Sequence, residues 1–108
     1  MVGTDIIEVS RIEKLIKDKG GKFLNRIYTQ KEIDYCESKG PNKYQHYAGR
    51  FAAKEAVFKI LRTKQLAFKS IEILNKDDGS PYINTFQSDI NISISHIKKY
   101  ATAVAVIK

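Results

Sequence analysis

The stretch FAAKEAVFK, Phe51 to Lys59, decides how the rest of the chain is read. Wound as a helix, it points Glu55 the same way as Ala48, Phe51, Ala52 and Phe58. Burying a charge without a partner costs on the order of several kcal/mol, so something elsewhere in the chain has to answer this carboxylate. The helical pattern runs from about Lys43 to Leu61. One face is apolar through Tyr47, Ala48, Phe51 and Phe58, and the back is apolar through Ala53, Ala56, Val57 and Ile60. A helix that is apolar nearly all round is central to a domain or caught in a subunit interface.

Toward the N-terminus, VGTDII reads as a short strand. Ser10-Arg11-Ile12-Glu13 has capping-box form, and Ile12, Leu15 and Ile16 give the following helix one apolar face. That helix is expected to stop near Gly20-Gly21. A second capping box at Thr29-Gln30-Lys31-Glu32, flanked by Tyr28 and Ile33, opens another helix that should end at Gly40-Pro41. Toward the C-terminus the pattern changes. SIEIL reads as a strand, Asp77-Asp78-Gly79-Ser80-Pro81 as a turn, and PYIN as a second short strand. INISISH sets Ile90, Ile92 and Ile94 against Asn91, Ser93 and Ser95, the period of a half-buried strand, and ATAVAVI closes the chain as another. The order β-α-α-α-β-β-β-β predicts an α+β fold, an antiparallel sheet packed against helices.

The chain has 108 residues, so a single domain spanning 1–108 is expected. Hydrophobic residues at 43% and charged residues at 29% are globular proportions. No apolar run approaches the roughly 20 residues of a membrane span and no secretory leader is evident, so no membrane partner is expected. Cys36 is the only cysteine, which excludes an internal disulfide and favours a reducing, cytoplasmic setting. Two histidines and one cysteine, far apart, give no zinc pattern. With 19 Lys and Arg against 12 Asp and Glu, the net charge of +7 favours an anionic partner: nucleic acid, a phosphate-rich ligand or an acidic protein.

Three residues carry possible chemistry. Glu55 is either half of an ordinary helical pair with Lys59, worth about 0.2–0.5 kcal/mol, or a desolvated carboxylate in need of a stronger partner. Asp5 lies in a strand, where Asp is depleted. It either bonds nearby backbone amides or serves as a hard-metal ligand. If the strand lies on the long helix, Asp5 and Glu55 supply the carboxylate pair that holds Mg²⁺, and Lys59 and Arg62 extend the site for phosphate oxygens. His96 is a strand-end histidine, or, with Ser93, Ser95, Lys98 and Lys99, part of a phosphate-binding edge. Arg11, Lys14 and Lys17, continued by Lys19, Lys22 and Arg26, form either a solvated face or a docking surface for an acidic partner.

GTDIIEVSRIE, FAAKEAVFK, DDGSPYI and SISH, in this order, resemble the 4′-phosphopantetheinyl transferases, in particular the short bacterial type that acts on acyl carrier proteins. The resemblance spans nearly the whole chain. It implies transfer of phosphopantetheine from coenzyme A to a serine of an apo acyl carrier protein, in support of fatty acid biosynthesis. Adenosine 3′,5′-bisphosphate is released. It implies Mg²⁺ on Asp5 and Glu55, with Glu55 and Lys59 catalytic and the serine proton passing to Glu55 or to water on the metal. It brings coenzyme A to Lys59, Ser95 and His96 and the carrier protein to Arg11; Arg50 and Arg62 are further candidates for coenzyme A, and Lys14 and Arg26 for the carrier protein. It implies a homotrimer in which Ser95 and His96 reach the site of a neighbouring subunit. The resemblance departs at Arg62-Thr63-Lys64-Gln65, where the family has a glycine-containing loop, and between Ile83 and Ile90, where relatives are longer. A small basic nucleic-acid-binding α+β domain is the alternative, although the predicted sheet lacks clustered exposed aromatics for base stacking.

Overall fold

The long helix forms at its expected residues, Lys43–Leu61, and the main sheet and two other helices pack on it. The computed structural model describes residues 1–62, 66–85 and 89–107. Along the chain these form β1 (Val2–Glu8), α1 (Val9–Lys19), α2 (Gly21–Ile27), α3 (Gln30–Glu37), α4 (Lys43–Leu61), β2 (Ile73–Asn75), β3 (Pro81–Ile83), β4 (Ile90–His96) and β5 (Tyr100–Ile107). The fold is α+β, as expected, with antiparallel strands packed on helices.

The strands do not form one sheet. Among the described residues β1, β5 and β4 make a three-stranded sheet in that order, and β2 pairs with β3 in a separate two-stranded ribbon. The predicted strand at SIEIL is shorter and later, because Phe68–Ser70 takes a 3₁₀ turn and pairing begins at Ile73. The three-stranded sheet lies across α4 through Ala101, Ala103 and Ala105 of β5, all buried. Alanines at every second position keep that face thin, so helix and sheet approach closely.

Among the described residues four α-helices form rather than three. The one not anticipated is α2, seven residues with no side-chain cap and a glycine before it. Gly20 does end α1, with φ +56°, and the chain re-enters a helix at once because Phe23 and Ile27 bury on the core. The Ser10 capping box does not form. α1 begins two residues earlier, with Glu8 at its N-cap and no side-chain cap, leaving Ser10 exposed in the first turn. The Thr29 box does form: Glu32 N–H donates to Thr29 Oγ1 at 3.3 Å, and Thr29 N–H donates to Glu32 Oε1 at 2.9 Å. α3 ends at Glu37, short of Gly40-Pro41, which start a 3₁₀ turn leading into α4.

Cys36 is fully buried and free, and burial pushes its thiol up to about 12. No helix among the described residues is long and apolar enough to cross a membrane. Residues 63–65 and 86–88, in the two loops where the family resemblance departs, lie outside the described residues.

Candidate active site

Asp5 and Glu55 are brought together by a backbone contact. A Cβ on Gly3 would lie 2.2 Å from the Ala56 carbonyl oxygen, so only glycine lets β1 rest directly on α4 at this level. Two residues further along β1, Asp5 faces the helix beside Glu55. Thr102 of β5 fixes the strand there by donating its hydroxyl to the Asp5 carbonyl at 2.9 Å. Lys59, one turn beyond Glu55, does not pair with it. Its ammonium donates to the Thr4 carbonyl at 2.7 Å and stands 3.5 Å from Asp5 Oδ1.

Glu55 is half-buried and receives no hydrogen bond from any described residue. Burial first, and then the charge of Asp5, push its pKa up, while Lys59 and Arg11 oppose the shift. Its environment therefore disfavours the carboxylate that the sequence places there. Among the described residues no cluster of three or more His, Cys, Asp or Glu side chains exists, so Asp5 and Glu55 are a two-carboxylate donor set. Two adjacent hard oxygen donors that repel each other suit a divalent cation whose remaining ligands come from phosphate.

Glu55 also lines a cleft of about 450 Å³. Phe23, Phe51 and Phe68 make its apolar wall, and Lys19, Lys22 and Arg26 its basic rim. Phe68 stacks on Phe51 at 5.3 Å and meets the edge of Phe58 at 5.0 Å. Arg11 and Lys14 are exposed on α1; Arg11 acts on Glu55 electrostatically, and Lys14 lines no cleft described here.

A second, smaller cleft of about 130 Å³ gathers Tyr35, His46, Arg50, Asn75, Pro81 and His96. It owes its shape to Gly49, where a Cβ would fall 2.8 Å from Ile94 Cγ2, so β4 crosses α4 here and carries His96 to the helix. Arg50 is buried. Its guanidinium lies over the Tyr35 ring at 4.0 Å, donates to Asn75 Oδ1, and leaves Nε without a partner. His96 Nδ1 lies 2.9 Å from Gln45 Oε1, and its ring meets His46 edge to face at 4.8 Å. Burial, and then His96, Lys39 and Arg50, push His46 down to about 4, and burial also lowers His96. Ser95 is exposed on β4. Arg62 is exposed at the C-cap of α4 and lines neither cleft.

Seven of the sequence residues thus fall into two groups within one chain, while Lys14, Arg62 and Ser95 line neither cleft. Asp5, Glu55, Lys59, Arg11 and Arg26 surround one site; Arg50 and His96 share another. The fully buried charge on α4 is not Glu55 but its neighbour Lys54, which forms a 2.7 Å ion pair with Glu32, both side chains having 0% exposure. Nothing in the local sequence marks Lys54, because its partners come from three other segments. Gly49 was a usable signal: glycine inside a helix costs stability and marks a close approach.

Comparison with known proteins identifies the family. Residues 1–105 match the family model described as the 4′-phosphopantetheinyl transferase superfamily. The chain belongs to that superfamily. Relatives named holo-[acyl-carrier-protein] synthase include one from Ruminiclostridium cellulolyticum, 46% identical over 99% of this chain and 90% of the relative. Another, from Thermodesulfovibrio yellowstonii, is 49% identical over 98% and 96% respectively. Among solved structures, the Helicobacter pylori holo-[acyl-carrier-protein] synthase in complex with coenzyme A superposes with TM-score 0.87 and 36% identity, covering 100% of both chains. The Bacillus anthracis enzyme, in complex with coenzyme A (3′,5′-ADP), gives 0.85 and 40%, covering 96% of this chain and 91% of that one.

Proposed function

We propose that this chain is a holo-[acyl-carrier-protein] synthase. It transfers 4′-phosphopantetheine from coenzyme A to a serine of an apo acyl carrier protein and releases adenosine 3′,5′-bisphosphate, in support of fatty acid biosynthesis. The observation that carries the reading is Glu55: a half-buried carboxylate beside Asp5, with a raised pKa and no described hydrogen-bond donor. This is the arrangement expected of a carboxylate that awaits a cation and a diphosphate. The family membership and the near-full-length relatives give the chemistry. They give no support to the nucleic-acid-binding alternative.

Asp5 and Glu55 would hold Mg²⁺, which when bound offsets the charge of the coenzyme A diphosphate. The carrier serine oxygen forms a bond to the β-phosphorus, and the bond from that phosphorus to the bridging oxygen breaks, leaving with the nucleotide. Lys59 already stands at Asp5 with its ammonium on the Thr4 carbonyl, positioned to stabilise the departing phosphate. Glu55, whose pKa is raised by burial and then by the charge of Asp5, is the group to which we assign the serine proton. The basic surface of Arg11, Lys14 and Arg26 faces the acidic carrier, while Arg50, Ser95 and His96, with Lys59 and Arg62, serve coenzyme A.

The homotrimer is part of the same reading. The outward face of the β1–β5 sheet exposes Val2 at 64% and Ile6 at 67%, with Val104 and Val106 beside them. An apolar row of this kind on a small domain favours burial against other subunits. Such assembly would bring the Arg50–His96 cleft of one subunit to the Asp5–Glu55 site of another. A lone, buried cysteine fits a reducing, cytoplasmic setting.

The test is the intact mass of an apo acyl carrier protein incubated with this chain, coenzyme A and Mg²⁺, with and without chelator. A phosphopantetheine mass gain that chelator abolishes is expected. No gain from a folded protein and a competent carrier would overturn the assignment, and a gain indifferent to chelator would remove the metal.

A further inference from the structure

Lys54 is fully buried, and its ammonium has three acceptors: the Ile27 carbonyl at 2.8 Å, Glu32 Oε1 at 2.7 Å and the Phe68 carbonyl at 3.1 Å. A lysine has three donors, and all are used. The acceptors belong to three separate segments: the end of α2, the first turn of α3 and the 3₁₀ turn after α4. Glu32 is itself locked, accepting from Thr29 N–H at 2.9 Å and from Ile73 N–H at 3.0 Å. Two of these segments build the cleft above Glu55. α2 carries Phe23 and Arg26, and the 3₁₀ turn carries Phe68.

We propose that Lys54 is a positioning residue for the carrier protein: its ammonium sets the distance between the α2 wall and the Phe68 wall of the cleft that Glu55 lines. The inference rests on the reading that this basic-rimmed cleft receives the carrier. A neutral side chain at position 54 leaves two carbonyls and a carboxylate converging on nothing, and they separate. The walls then move while Asp5 and Lys59, anchored on β1 and the next turn of α4, stay in place. Carrier binding suffers and coenzyme A binding does not.

The experiment measures KM for apo acyl carrier protein and for coenzyme A separately, in Lys54→Met and Lys54→Arg. Measurements are made where circular dichroism shows each variant folded. Methionine keeps the length but removes the donors. Arginine keeps a charge for Glu32, so it folds if methionine does not, but its planar fork cannot reach three diverging acceptors. The expected result is a rise of about tenfold or more in carrier KM, the scale of a small misplacement of a binding wall, with coenzyme A KM unchanged. A purely structural lysine would lower the unfolding temperature and leave both KM values alone in the folded protein; that result overturns the proposal, as does an equal loss on both substrates. Arg26→Glu is the control. If it leaves carrier KM unchanged, the docking reading fails and takes the proposal with it. If it raises carrier KM and the folded Lys54 variants do not, the positioning role alone fails.

Discussion

Gly3 and Ala56 touch backbone to backbone: the position of a Gly3 Cβ lies 2.2 Å from the Ala56 carbonyl oxygen and 3.1 Å from Ile60 Cγ1. A carbonyl in mid-helix cannot move aside, so the contact ties the level of β1 to the level of α4. Asp5 meets Glu55 because of it. Gly3→Ala forces the strand away, at a cost of roughly 1–3 kcal/mol of stability, and separates the two carboxylates. Thermal unfolding and the transfer rate of the folded fraction should both fall; a folded variant with an unaltered rate would show that the contact does not set the site.

Glu55→Gln trades function for stability. Burial and Asp5 hold the folded pKa of Glu55 above its ordinary 4.5, so ionising it works against the fold. That cost is absent below pH 4.5 and complete above the raised value. The variant should therefore unfold at a higher temperature than the parent at neutral pH and at the same temperature in acid. Transfer should drop by about 10²-fold or more, and Mg²⁺ should no longer raise the unfolding temperature. An active Gln variant would take Glu55 out of the chemistry.

Arg11→Glu reverses an exposed charge on α1 that also acts on Glu55, on the surface we propose for the carrier. Carrier association should slow and lose much of its salt dependence, because steering by surface charge acts mainly on the encounter rate. Coenzyme A affinity should be unchanged by calorimetry. Equal weakening of both ligands would contradict the separation of the two surfaces.

His46 makes the fold sensitive to mild acid. Its folded pKa is pushed from 6.5 to about 4, by burial and then by His96, Lys39 and Arg50. The unfolded chain takes up the proton first, so stability is full above pH 6.5, declines as pH falls toward 4, and is level below. His96, also lowered, adds to the decline. His46→Gln should flatten the plot of unfolding temperature against pH across this window. An unchanged slope would place the sensitivity elsewhere.

Arg62 is the one non-glycine residue with positive φ among those described, at φ 52° and ψ 34°. A side chain in this region costs roughly 1–2 kcal/mol, and the extra freedom of glycine in the unfolded chain offsets part of that. Arg62→Gly should raise stability by about 0.5–1 kcal/mol, read from the denaturant midpoint. If coenzyme A binding weakens as well, the Arg62 side chain serves that ligand.

The readable parts of the site are those encoded by single elements. Asp5 stood out as an acid in a strand, and Glu55 as an acid on an apolar stripe. The long helix and the alternation at Ile90–His96 followed from periodicity alone. What sequence could not show is where distant segments meet. Lys54 carries no local mark because its three acceptors lie 14, 22 and 27 residues away. α2 escaped because its helix is short, uncapped and held by the burial of Phe23 and Ile27, not by local preference. The sheet split for a similar reason: β2 and β3 are three residues each, too short for periodicity to say which neighbours they pair with.

The Asp5–Glu55 site and the Arg50–His96 cleft share no lining residue. In the trimer we propose, each working site borrows one half from a different chain. Two kinds of dead subunit, one lacking Asp5 and one lacking His96, would then revive each other when mixed before assembly. Where one sound half meets another, activity returns; where two broken halves meet, it does not. In a cell making both forms, each defect would be recessive to the other, so a fraction of sites would persist where either allele alone gives none.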